Sequence, residues 1–181
     1  MKRLQNLLLI GGTGRNIGKS TLMEIIIRKF GKELPLIALK SSMLMPGEAY
    51  LHGKHKLVEP DEFLLQEEVY DGSVKDSQRY LKAGATQSFF LSVGEKALSD
   101  AFEMFLKTVG NSGIIIAESN VLREVAIPGV FIMIKGNSSI KPQAKRFLEL
   151  ADKVVPAMDM VAFKKVVSEL RFDETGWHFS E

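Results

Sequence analysis

The chain has 181 residues, with 24 Lys plus Arg against 22 Asp plus Glu and no cysteine. Its net charge of +2 gives no strong electrostatic case for nucleic acid or a membrane surface, and the missing cysteines remove disulfides, thiolate metal sites and a cysteine nucleophile. The length predicts a single domain spanning 1–181, able to bury about 70% of its unfolded surface in one core.

An apolar run from Leu7 to Ile10 follows Met1-Lys2-Arg3, but it is too short for a signal peptide and ends in glycines. No run approaches the ~18 apolar residues of a membrane span. A cytoplasmic protein, with nucleoside triphosphates and Mg²⁺ at hand, is the expectation. The run breaks into a loop with glycines at 11, 12, 14 and 18, and Gly18-Lys19-Ser20-Thr21 then opens an amphipathic helix that runs to Phe30, with Gly31 as a suitable residue to close it.

Strand, glycine loop and helix in that order suit a polyphosphate. Several backbone N–H groups must point at the ligand, and glycine lets the backbone approach closely and take positive φ angles. The candidate nucleotide-binding segment is Gly12, Thr13, Gly14, Arg15, Asn16, Ile17, Gly18, Lys19, Ser20 and Thr21. Lys19 is placed to reach the terminal phosphates, a catalytic position, and the Ser20 hydroxyl is placed to be a Mg²⁺ ligand. Arg15 either lends charge to a γ-phosphate, as an arginine finger does, or faces solvent. The strict pattern G-x-x-x-x-G-K-[ST] asks for glycine where this chain has Thr13. Gly12-Thr13 followed by Gly18-Lys19-Ser20 resembles the loops of dethiobiotin synthetase and the cobyrinic acid synthetases, in the P-loop branch that also holds dimeric ATPases and GTPases of metallocofactor assembly.

Leu34 to Leu39 reads as a buried second strand that delivers Lys40 to the carboxyl rim, where parallel sheets bind ligands; Lys40 is a nucleotide-site candidate or a solvated strand end. Between 43 and 75 the periodicity is lost, apart from a short helical candidate at Asp61 to Tyr70 with Asp61 as its cap. A connection this long suggests a lid or a partner surface. His52 and His55 within it lack the further ligands of a metal site.

Lys75 to Ala85 predicts a short helix closed by Gly84. Its pattern K-D-S-x-R-x-x-x-A-G-A resembles a segment of molybdopterin-guanine dinucleotide biosynthesis protein B. Read locally, Asp76 caps the helix and Arg79 pairs nearby, which is compatible with a role at the site. Gln87 to Val93 is a third strand, and Glu95 to Val109 a helix with core phenylalanines at 102 and 105. The apolar strand from Gly113 ends at Glu118, a carboxylate with nothing beside it in sequence to neutralise it. In P-loop proteins such an acid approaches Mg²⁺ directly or through its water, so Glu118 is both a metal and a catalytic candidate. The resembled family has E-G here and this chain has Glu118-Ser119.

Val130 to Ile134 is a fifth strand, followed by Asn137, which either reads a base or belongs to a plain Asn-Ser-Ser turn. Lys153 to Ala157 is a sixth strand. Asp159 caps a last helix, and the end from Glu169 forms a hairpin at the sheet edge with Trp177 in packing. Strands alternating with helices predict an α/β fold of three layers, a mostly parallel sheet with helices on both faces, and the resemblance makes that fold a P-loop NTPase. It further implies a homodimer that binds GTP with Mg²⁺, hydrolyses it slowly, and serves a molybdenum-cofactor nucleotidyltransferase. A synthetase or small-molecule kinase using ATP, and a non-hydrolysing nucleotide sensor, remain open.

Overall fold

The computed structural model describes every residue except 44–58, 72–75, 111–112, 138–139, 141 and 181, and leaves aside the side chains of Ser77, Pro142 and Gln143. Seven strands form one sheet in the order β3-β4-β2-β5-β1-β6-β7. They are β1 (Lys2–Gly12), β2 (Leu36–Met43), β3 (Phe63–Glu67), β4 (Gln87–Val93), β5 (Ile114–Glu118), β6 (Ala126–Lys135) and β7 (Lys153–Pro156). All neighbours are parallel except β3 and β4. The helices are α1 (Lys19–Phe30), α2 (Asp76–Ala83), α3 (Leu98–Val109), α4 (Pro142–Glu149) and α5 (Met160–Glu169).

Burial on both faces explains why the central strands read as unbroken apolar runs rather than alternating ones. In β1, Leu8 and Ile10 pack with Leu22, Met23 and Ile26 of α1, Tyr80 of α2 and Phe163 of α5. Leu7 and Leu9 turn the other way, towards Phe102 and Phe105 of α3 and Phe147 of α4. The sheet is thus an α/β layer flanked by helices on each side. A 3₁₀ turn at Glu95–Ala97 precedes α3, so the predicted helix from Glu95 begins in a tighter form. The hairpin of β8 (Leu170–Asp173) and β9 (Gly176–Phe179) forms a separate two-stranded ribbon, pinned by a 3.1 Å hydrogen bond from the Trp177 indole N–H to the Asn6 carbonyl.

One expectation is overturned. The segment Asp61 to Tyr70 is not helical: residues 63–67 form β3, and Asp61 sits in a turn rather than at a helix cap. Strand pairing prevails there because antiparallel pairing with β4 supplies the backbone partners, while Phe63 and Leu65 pack against the α3 core. Gly31 does close α1, but in a right-handed conformation at φ −69° rather than the left-handed one usual for a closing glycine. Its lack of a side chain matters through crowding, since a Cβ there would lie 2.6 Å from the Gly84 carbonyl oxygen. His52, His55 and most of the proposed lid lie outside the described residues. No helix among those described is long and apolar enough to cross a membrane.

Candidate functional site

β1 ends at Gly12, at the carboxyl edge of the sheet, with its last residues in register with Ile132 to Ile134 of β6. The backbone of Gly12 is clamped on both its N–H and its C=O by one side chain. The Asn120 carboxamide oxygen accepts from the Gly12 N–H at 2.7 Å, and its NH₂ donates to the Gly12 carbonyl at 2.9 Å. Thr13 is tied in turn to the loop after β6, its amide donating to the Ile134 carbonyl at 3.0 Å and its buried hydroxyl accepting from the Gly136 N–H at 2.9 Å. The residue that departs from the strict glycine pattern therefore joins two loops through an oxygen glycine does not possess.

From there the backbone turns sharply. Asn16 has φ 54° and Gly18 φ 102°, and the Ile17 carbonyl accepts from the Met158 N–H at 3.2 Å. Helix α1 starts at Lys19 with no side-chain cap on its amides and no acidic residue in its first turn. The first N–H groups of a helix have no partner within it and form its positive end. Left-handed residues in a turn before a helix are the conformation from which amide nests for anions are built.

Lys19 folds back over the loop, its ammonium donating to the Gly14 carbonyl at 2.8 Å. Burial lowers its pKa; the nearby Glu118 charge opposes that, while Lys40 adds to it. Gly14 and Thr21 are half-buried, and Arg15 and Asn16 are exposed on the loop. Asn137 is exposed one residue beyond Gly136, so the Thr13 contact brings its turn to the loop without committing its side chain.

On the other side of Lys19 the first turn of α1 meets an ionisable cluster. The Ser20 hydroxyl donates to Glu118 Oε2 at 2.8 Å, and the fully buried Tyr80 hydroxyl donates to the same oxygen. Lys40, in register with Glu118 across β2 and β5, donates to Glu118 Oε1 at 3.3 Å and to Asp76. Arg79 reaches Asp76 Oδ1 at 3.1 Å and pairs with Glu24 of α1. Burial, with the Glu118 carboxylate second, raises the Tyr80 pKa well above its usual value, so the phenol stays a neutral donor. Burial would also raise the Asp76 pKa, but the hydrogen bond and charge of Lys40, helped by Arg79, overcome it and the pKa is lowered.

The sequence placed Lys19, Ser20, Lys40 and Glu118 at one rim, and the structure brings them together. It adds two residues that sequence reasoning missed, Asn120 and Tyr80, and it places Asp76, expected as a helix cap compatible with a role at the site, as the first residue of α2 and in contact with Lys40. Asp76 and Tyr80 stand four apart, on one face of α2, which was the available signal. Asn120 lies two residues past Glu118 and carries no comparable mark. Ser119 accepts from the Leu122 N–H at 3.2 Å and donates its own amide to the Ile10 carbonyl at 3.0 Å, so serine is accommodated where the resembled family has glycine.

A depressed acid has a consequence for folding. The unfolded chain protonates Asp76 near its ordinary 3.8 and the folded protein only at lower pH, so this contribution is present above that value and lost as pH falls through the folded one. Asp76→Asn should therefore flatten the acid limb of the stability curve below about pH 4, measured by urea midpoints across pH. An unchanged acid limb would show that Asp76 carries no such linkage.

A concavity of about 1030 Å³ lined by Lys2, Asn6, Pro35, Glu103 and Lys107 lies at the opposite, amino-terminal end of the sheet, away from these groups. Comparison with protein-family models, with curated proteins and with solved structures returns no match. What the coordinates define is a mostly parallel α/β sheet with a glycine-rich turn and an ionisable cluster at its carboxyl edge.

Proposed function

We propose that residues 12–21 form a P-loop that binds a purine nucleoside triphosphate, most simply GTP, with Mg²⁺. The supporting observation is the helix that opens at Lys19 with no side-chain cap, directly after left-handed Gly18 and three residues past left-handed Asn16, beside the Ser20–Glu118 hydrogen bond. Loop amides bind the β- and γ-phosphates, and Lys19 exchanges the Gly14 carbonyl for a phosphate oxygen. Lys40 and Asn137 complete the nucleotide candidates, the latter for the base.

The donor set suits Mg²⁺. Among the described residues no three His, Cys, Asp or Glu side chains gather into a metal cage, but Mg²⁺ is held by one or two carboxylates together with substrate phosphates and water. Ser20, Asp76 and Glu118 are the hard oxygen donors that would hold it; when bound it supplies neutralisation of phosphate charge. Tyr80 fixes the Glu118 carboxylate, and Asn120 and Thr13 fix the start of the loop. These bonds hold the site's geometry in place, and the slow NTPase activity is an expectation carried by the resemblance.

The resemblance in the loop and in residues 75–85 makes this chain a candidate accessory GTPase of molybdenum cofactor guanylylation, dimeric, cytoplasmic and acting on a nucleotidyltransferase. Gly12-Thr13 favours the second reading, an ATP-dependent synthetase or small-molecule kinase, which requires ATP preference and turnover dependent on a small acceptor.

The test is calorimetric titration with Mg-GTP and Mg-ATP. Losing one charge-assisted contact removes about 1.5–3 kcal/mol, so Lys19→Ala should bind about 10- to 100-fold more weakly. Equal binding by parent and Lys19→Ala would end the proposal.

A further inference from the structure

The carboxylates offered to a divalent cation are already engaged by protein donors. Asp76 is held by Lys40 and Arg79, Glu118 Oε1 by Lys40, and Glu118 Oε2 by Ser20 and Tyr80. Lys40 is the element common to both acids. It projects from the interior of β2, paired with Glu118 on one side and Phe90 on the other, and the Lys40, Asp76 and Glu118 side chains are 23%, 31% and 8% exposed. A backbone position fixed by two neighbouring strands leaves that ammonium no route away from the acids except along its own flexible stem.

We infer that Lys40 is the resident counter-cation of the Asp76–Glu118 pair, and that it must be drawn off before a divalent cation can bind, which makes cation uptake depend on nucleotide. The dependence on nucleotide rests on the function proposed above; the counter-cation role does not. The two carboxylates carry −2, and Lys40, which touches both, and Arg79, which touches Asp76 alone, offset it. Mg²⁺ sheds water reluctantly and binds through oxygen, so free metal meets acids already neutralised by tethered cations, of which only the Lys40 ammonium stands between the two. A nucleotide changes the balance, because its phosphate oxygens accept from an ammonium as well as a carboxylate does, giving Lys40 another partner at the same rim.

The experiment titrates Mn²⁺, detected by its electron paramagnetic resonance, into the full chain with and without GTP. A neighbouring cation shifts proton binding at a carboxylate by about 1–3 powers of ten, and a divalent cation meets the same field, so Lys40→Met should bind Mn²⁺ without nucleotide about tenfold or more tightly than the parent. Lys40→Arg, which keeps the charge, should stay near the parent, and GTP should tighten Mn²⁺ binding in the parent far more than in Lys40→Met. Lys40→Gln gives a second neutral variant, and thermal melts identify which variants are folded. If folded neutral variants bind Mn²⁺ no more tightly than the parent, the counter-cation role is overturned. If they bind it more tightly while GTP binds to none of the proteins, the counter-cation role stands and the nucleotide reading falls.

Discussion

Phe163→Ala should cost about 3–5 kcal/mol of stability, the usual range for emptying a buried aromatic site. The side chain is fully buried among Leu22, Met23, Ile26 and Val166, where α1 and α5 meet under the sheet. Its ring also forms the floor beneath Gly18, since a Cβ on that glycine would fall 2.8 Å from ring carbon Cζ. Collapse into the cavity is limited because α5 is held at its start by Asp159, whose carboxylate accepts from the amides of Val161 at 3.0 Å and Ala162 at 2.9 Å. Chemical denaturation is the measurement, with the midpoint falling while the m-value stays the same. A loss no greater than the ~0.5 kcal/mol of a surface substitution would place the ring outside the core.

Gly18→Ala should damage both stability and ligand binding, through two separable effects. A side chain at φ 102° is strained by about 1–2 kcal/mol, and its Cβ would lie 2.8 and 2.9 Å from two carbons of the Phe163 ring, an overpacking worth about 1–3 kcal/mol more. The ring is held on all sides and cannot swing away as a lysine tip would. Relief therefore moves the start of α1, which carries the uncapped amides, and Mg-GTP affinity should drop with stability. A double-mutant cycle with Phe163→Leu separates the parts: the steric share shrinks and the backbone share remains. Purely additive effects in that cycle would show that the ring does not press on this position.

How far the chain could be read in advance depended on the range of the interactions. Six strands of the main sheet announce themselves as apolar runs, and α1, α3 and α5 as amphipathic periods, because burial imposes those patterns within a few residues. β3 does not. Phe63-Leu64-Leu65 is as compatible with a helical turn as with a strand, and what decided it was pairing with β4, more than twenty residues away in the chain. Gly31 is a similar case, since the Gly84 carbonyl that crowds it belongs to another element.

At the site the division is the same. The turn at residues 12–21 is a local object, whose glycines, lysine and serine stand within one stretch of chain, so composition and spacing alone specified it. Its surroundings are assembled from afar: Ser20 meets Glu118 across 98 residues, Tyr80 meets it across 38, Lys40 reaches Asp76 across 36, and Asn120 clasps Gly12 across 108. Glu118 looked unneutralised in sequence and is in fact the best-partnered acid of the rim. By itself, then, the sequence determined six of the seven strands of the main sheet, the helices α1, α3 and α5, and where a glycine-rich turn falls, since these follow from short-range sterics and burial periodicity. Only the tertiary structure decided which charges face one another, because parallel register between strands far apart in the chain is settled by packing the whole sheet and leaves no mark on neighbouring residues.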